Sequence, residues 1–261
     1  MTIELNLKRT QYAVLILGSA GAGKTTLTSA LCDWINNEGY SSASCVNLDP
    51  GAEQIPYNPV WDIRNKFTVR EVMRRYNLGP NGALLKSMDL LLEMSDSIIK
   101  EITTVTDTEY VVIDTPGQLE IFTFRDVGEN FVKKLSEKIT TIGLFLIDGE
   151  LFKSVTRLLV SQLLGLSAEL NLSVPLIHII NKGDLVNREL VEKIDHEKDT
   201  IKLIIEERSG SLIDLGIGIY KILRELKAAA RPIIVSAKKK TGLEELFDAM
   251  HEVFCTCGDM T

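Results

Sequence analysis

An apolar run, Tyr12–Leu17, leads directly into Gly18-Ser-Ala-Gly-Ala-Gly23-Lys24-Thr25, and an amphipathic stretch, Lys24–Glu38, follows. No other feature of the chain restricts its fold as much. The segment matches G-x-x-x-x-G-K-[ST] in full, and it stands in the context that gives the motif meaning, between a buried strand and a helix. Glycines let the backbone wrap phosphate groups, while N–H groups and a helix N-terminus face the negative charge. Gly18, Ser19, Ala20, Gly21, Ala22, Gly23, Lys24, Thr25 and Thr26 are therefore assigned to a nucleoside triphosphate. Lys24 is expected on the β- and γ-phosphates, and the Thr25 hydroxyl on Mg²⁺. A glycine-rich turn serving only to join strand and helix would not need Lys and Thr in register.

The rest of the chain repeats the alternation. Ser44–Leu48, Tyr110–Ile113, Thr141–Ile147, Leu176–Ile180 and Ile233–Val235 read as further strands, and Gly82–Thr104, Leu151–Glu169 and Gly242–Phe254 as helices. Short apolar runs between amphipathic stretches predict an α/β fold: a mostly parallel central sheet with helices on both faces, the three-layer arrangement of P-loop NTPases. Ligands in such sheets sit at the carboxyl ends of the strands. A single domain over residues 1–261 is expected. Two insertions exceed what a minimal sheet needs, at about 50–105 and about 186–231. The 186–231 insertion has a helical pattern and mixed charge, which suits a solvated helical cap. In the 50–105 insertion, the apolar positions of "SMDLLLEMSDSIIKEI" are expected in the core.

Strand ends carry the remaining chemistry. Asp114 closes an apolar run and is followed by Thr115-Pro116-Gly117-Gln118. A carboxylate there can hold Mg²⁺ opposite Thr25, the Gly117 N–H is open to the γ-phosphate, and Gln118 can orient the attacking water. Asp49, in "VNLDPGAE", either contacts the metal or the water, or caps the Pro50-Gly51 turn. Asn181-Lys182-Gly183-Asp184 follows another strand. Asp184 can accept hydrogen bonds from N1–H and the exocyclic amine of guanine, donors that adenine lacks. Asn181 can fix the loop and meet the base, and the Lys182 stem can cover its face. Ser236-Ala237-Lys238, one strand later, offers a backbone N–H to the guanine carbonyl. In this chain order the motifs favour GTP and GDP over adenine nucleotides.

Composition narrows the partners. A net charge of −7 argues against direct binding of nucleic acid. No stretch approaches the ~20 apolar residues that span a bilayer, and "MTIELNLKRTQ" lacks the apolar core of a signal peptide. A cytoplasmic protein with reduced, scattered cysteines is expected. Cys255 and Cys257 read more simply as inert tail thiols than as a soft-metal site.

Gly79-Pro80-Asn81-Gly82 is turn chemistry by composition, since Pro presets one dihedral and Gly or Asn tolerate a positive one. It sits in a longer pattern: Leu48-Asp49-Pro50, Ala52-Glu53, Tyr57, Asp62-Ile63-Arg64, Val72-Met73 and Leu78-Gly79-Pro80-Asn81-Gly82. This segment, with the nucleotide motifs, resembles the GPN-loop GTPases over roughly Val14 to Lys238. Gly51 and Gly183 are mild departures. The resemblance implies a compact, archaeal-type member that hydrolyses GTP with Mg²⁺ as a permanent homodimer. It further implies that Asn81 reaches the partner's site as a phosphate sensor, and that the switch serves assembly of protein complexes, with an RNA polymerase-related client. Lys24, Asp49, Asn81, Asp114 and Gln118 are the expected catalytic set, with Thr25, Asp114 and Asp49 at the metal. Arg64 and Arg125 lie near these segments and read as surface or ion-pair residues rather than arginine fingers. Two alternatives remain: a metal-insertion GTPase, which would need clustered Cys or His, and a non-hydrolysing scaffold stabilised by GTP.

Overall fold

The computed structural model describes residues 11–39, 41–187, 196–226 and 232–258. Among these residues, seven strands form one sheet in the order β3-β2-β4-β1-β5-β6-β7. They are β1 Tyr12–Gly18, β2 Ala43–Asn47, β3 Trp61–Asp62, β4 Tyr110–Asp114, β5 Thr140–Asp148, β6 Leu176–Asn181 and β7 Ile233–Ile234. All their pairings are parallel. Parallel strands need long crossovers, and helices supply them here except between β2 and β3. These are α1 Lys24–Glu38, α2 Val69–Tyr76, α3 Pro80–Glu93, α4 Ser95–Val105, α5 Leu119–Phe122, α6 Asp126–Ser136, α7 Val155–Leu172, α8 Glu197–Glu207, α9 Ser211–Leu226 and α10 Leu243–Gly258.

Burial on both sheet faces explains the near-continuous apolar runs. Along β1, Ala13, Leu15 and Leu17 join one core, while Val14 and Ile16 join the other. The first core packs against α2 to α9, with Phe122, Phe131 and Ile102 fully buried; the second packs against α1 and α10 through Leu27, Leu31 and Leu246. Each such side chain contributes about 1.5–3 kcal/mol by leaving water. The expected core role of the 87–102 stretch holds, since Met88, Leu91, Ile98, Ile99 and Ile102 are all buried.

Two local expectations are corrected, and one strand is added. The sequence 79–82 is not a chain-reversing turn but the start of α3. Gly79 is its N-cap with φ −71°, and Pro80 takes the first helical position, where its missing N–H costs nothing. The positive φ falls instead on Asn77, at 51°, where α2 ends. Gly82–Thr104 is two helices, broken at Met94. Trp61–Asp62 forms an edge strand too short to show a periodicity. Within 186–231, the described part folds as α8 and α9, and 188–195 and 227–231 lie outside the described residues.

Register sets up the site. Asn47 pairs with Asp114, Ile16 with Asp114, Gly18 with Leu146 and Asp148 with Asn181. The carboxyl ends of β2, β4, β1, β5 and β6 therefore end along one edge, and every nucleotide motif emerges there. Among the described residues no helix is long and apolar enough to cross a membrane.

Candidate functional site

The phosphate loop runs from the end of β1 into α1. Gly18 has φ +141°, and a Cβ there would stand 2.7 Å from the Leu146 carbonyl oxygen. Gly23 has φ +92°, and a Cβ would meet the Asn181 amide at 2.5 Å. Both positions thus need glycine for backbone freedom and for space. Ser19, Ala20 and Gly21 are exposed at the mouth of the loop, Ala22 is buried, and Thr25 and Thr26 open the first turn of α1.

Lys24 is 6% exposed, and its ammonium donates to the carbonyls of Gly18 (2.7 Å), Ser19 (3.1 Å) and Gly117 (3.1 Å). That uses its three protons and ties the phosphate loop to the segment after β4. Burial pulls its pKa below the ordinary value, opposed by the Asp114 and Asp49 carboxylates.

Asp114, at the end of β4, is 1% exposed. The Tyr57 hydroxyl donates to its Oδ2 at 3.0 Å, while Oδ1 is buried without a hydrogen-bond partner among the described residues. Burial pushes its pKa up to about 6, opposed by the nearby Thr25 and Tyr57 hydroxyls. Burial and the same carboxylate raise the Tyr57 phenol, which keeps it a donor. A buried, unsatisfied carboxylate oxygen beside the Thr25 hydroxyl is a donor set suited to a hard divalent cation.

Asp49 caps the Pro50-Gly51 turn, one of the two roles its position allows. Its Oδ1 accepts from the Gly51 N–H at 2.8 Å. Burial raises its pKa, opposed by the Gly51 N–H, Lys24 and the Gly117 N–H. Gln118 is exposed as the N-cap of α5. A cleft of about 850 Å³ brings Asp49, Arg64, Asn81, Gly117 and Gln118 together beside Ala20 of the phosphate loop. Arg64 meets the ion-pair expectation: its Nε lies 3.0 Å from both Asp62 carboxylate oxygens and its Nη2 2.6 Å from Oδ2. Burial would lift Asp62, but Arg64 and the Asn47 amide outweigh it and hold the carboxyl below its ordinary value. Arg125 caps the start of α6 and is exposed.

The base end is a second cluster. The Asn181 Nδ2 donates to the Ala22 carbonyl at 2.8 Å, and its Oδ1 accepts from the Ala237 N–H at 3.1 Å. One side chain thereby joins the phosphate loop, the end of β6 and the segment after β7. The Ser236 hydroxyl donates to Asp184 at 2.6 Å, and that bond is the main cause holding the carboxyl below its ordinary value. Lys182 has φ 58°, and its ammonium lies 2.7 Å from Asp148 and 3.6 Å from Glu150. Lys238 is exposed beyond the buried Ala237.

Tyr57 and Asp148 carry no role in the sequence reading. Asp148 stands at the end of an apolar run, so the strand-end rule that singled out Asp114 would have found it. Tyr57 lies in an irregular segment and meets Asp114 only through the fold. Among the described residues no group of three or more His, Cys, Asp or Glu is arranged to hold a metal. Cys32 and Cys45 are buried, and the Cys257 side chain lies outside the described residues.

A family model described as "Conserved hypothetical ATP binding protein" matches residues 16–256. The chain is 33% identical over 254 residues to the GPN-loop GTPase PAB0955 of Pyrococcus abyssi, covering 95% of this chain and 99% of that protein. It is 35% identical over 180 residues to GPN-loop GTPase 3 of Mycosarcoma maydis, covering 68% of this chain and 63% of that protein. The crystal structure of the Pyrococcus abyssi protein, a GTPase in apo form, superposes with a TM-score of 0.83 at 29% identity, covering 94% of this chain and 98% of that one. The family description names ATP, whereas the named relatives are GTPases. A family match over nearly the whole chain, a full-length archaeal relative and the nucleotide motifs gathered at one sheet edge place this chain among the GPN-loop GTPases, as an enzyme that binds and hydrolyses GTP.

Proposed function

We propose that this GTPase works as a Mg²⁺-dependent homodimeric switch in which Asn81 of one subunit reads the phosphate site of the other. The observation that supports Asn81 at a phosphate site is the cleft shared by Asp49, Gly117, Gln118 and the first turn of α3, with Asn81 exposed on its rim, and the reach across a dimer is supported by the family resemblance. In this reading Lys24 exchanges its loop carbonyls for β- and γ-phosphate oxygens, and the loop N–H groups hold the remaining charge. Gln118, free at a helix N-cap, orients the attacking water, and Asp49 assists it or holds the loop that does. Thr25 and Asp114 would hold Mg²⁺, which supplies charge neutralisation across the β- and γ-phosphates when bound. The Asn81 carboxamide donates to a phosphate oxygen without adding charge. Asn181, Lys182, Asp184 and the Ser236–Lys238 segment bind guanine.

The same cleft also favours a second reading, in which Asn81 acts within its own subunit. The output proposed is the assembly of protein complexes, with an RNA polymerase-related client supported by the family resemblance alone. Multiple-turnover phosphate release from GTP and ATP, in Mg²⁺ and in EDTA, with oligomer mass recorded, tests the proposal. Preference for GTP, need for Mg²⁺ and loss of turnover in Gln118→Ala are expected. Wild-type rates in Gln118→Ala would remove the water-orienting role, and no phosphate release by wild type would favour the scaffold alternative.

A further inference from the structure

We infer that Tyr57 is a positioning residue for the metal: its hydroxyl fixes one oxygen of Asp114 so that the other points to the cation, and so couples the 52–60 segment to metal binding. The inference rests on the proposed use of Mg²⁺ at Asp114. Three observations support it. The Tyr57 hydroxyl lies 3.0 Å from Asp114 Oδ2. Asp114 is 1% exposed, and its Oδ1 has no hydrogen-bond partner among the described residues. The residue before Tyr57 is itself anchored, since the Ser29 hydroxyl of α1 donates to the Pro56 carbonyl at 3.2 Å.

A carboxylate at a strand end can rotate about its last bond. A charge-assisted bond to one oxygen selects a single orientation, and outer hydrogen bonds of this kind typically change metal affinity ~10–100-fold when removed. Tyr57 belongs to the long connection between β2 and β3, not to the phosphate loop or the segment after β4. A cation that draws Asp114 into one orientation therefore also secures that connection, which continues into the Asp62–Arg64 pair lining the cleft.

The test uses full-length protein with GDP and Mn²⁺ as the probe ion. Tyr57→Phe removes only the hydroxyl. GDP affinity in EDTA should match wild type, whereas the Mn²⁺ dissociation constant of the GDP complex, read by electron paramagnetic resonance, should rise ~10-fold or more. The Mg²⁺ concentration for half-maximal GTP turnover should rise in parallel. A variant with wild-type Mn²⁺ affinity overturns the inference and leaves the Mg²⁺ reading standing. Absence of Mn²⁺ binding by the wild-type GDP complex overturns both. A measurement independent of the variant is hydrogen exchange over 52–60 in the wild-type GDP complex. Mg²⁺ should slow it, and exchange unaffected by Mg²⁺ contradicts the coupling.

Discussion

Replacing Asp114 by Asn should make the nucleotide-free protein gain stability, relative to wild type, as the pH rises. Burial lifts the Asp114 carboxyl from the ordinary 3.8 to about 6 in the folded state. Between those values the folded protein keeps a proton that the unfolded chain has lost, so stability falls as the pH rises through this window. Above it the whole cost of ionising a buried carboxyl is present, about 3 kcal/mol at ~1.4 kcal/mol per pH unit. Asn keeps an oxygen to accept from Tyr57 but never ionises. Urea unfolding in EDTA, with wild type and Asp114→Asn side by side from about pH 4.5 to 7.5, should show their difference shifting in favour of Asn by about 2 kcal/mol. GTP turnover by the variant should be lost, because the charge that destabilises the empty site is the one proposed to face the metal. A stability difference independent of pH, or one that shifts against Asn as the pH rises, refutes the reasoning.

Further outcomes follow from individual contacts. Gly18→Ala should lose about 1–3 kcal/mol in urea unfolding, because the new Cβ falls on the Leu146 carbonyl at a positive φ. Asn181→Ala should weaken GTP binding roughly tenfold or more in calorimetry, since it frees both the phosphate loop at Ala22 and the segment at Ala237. Glu207→Gln should cost about 1–2 kcal/mol, read by urea unfolding: Glu207 accepts from the N–H groups of Val155 and Thr156 at the start of α7, a capping role.

The sequence revealed most where local pattern and chemistry coincide. The β1 run, the phosphate loop and α1 were legible together because a buried strand, a glycine-rich turn and a helix each leave their own mark. The Asp114 and Asn181 segments were legible because strand ends in a parallel sheet are where ligands sit. Gly79-Pro80-Asn81-Gly82 misled because a Pro that presets a turn is equally suited to the first position of a helix, and the apolar pattern from Ala83 onward favours the helix. Asp49 stayed open because capping a turn and facing a phosphate use the same carboxylate. The Tyr57–Asp114 bond joins residues 57 apart in sequence, and Tyr57 itself lies in a connection with no periodic pattern. Such contacts arise from packing and leave no local trace.

The proposal that Asn81 reads phosphate across a dimer is tested most directly by mixing two inactive proteins. Asn81→Ala subunits keep an intact Lys24, and Lys24→Ala subunits keep an intact Asn81. In a mixed dimer, confirmed by native mass spectrometry, GTP turnover should recover at the site that pairs wild-type Lys24 with the Asn81 contributed by the other subunit. Mixed dimers that form yet show no turnover above either parent would contradict action across the interface and place Asn81 in the cleft of its own subunit.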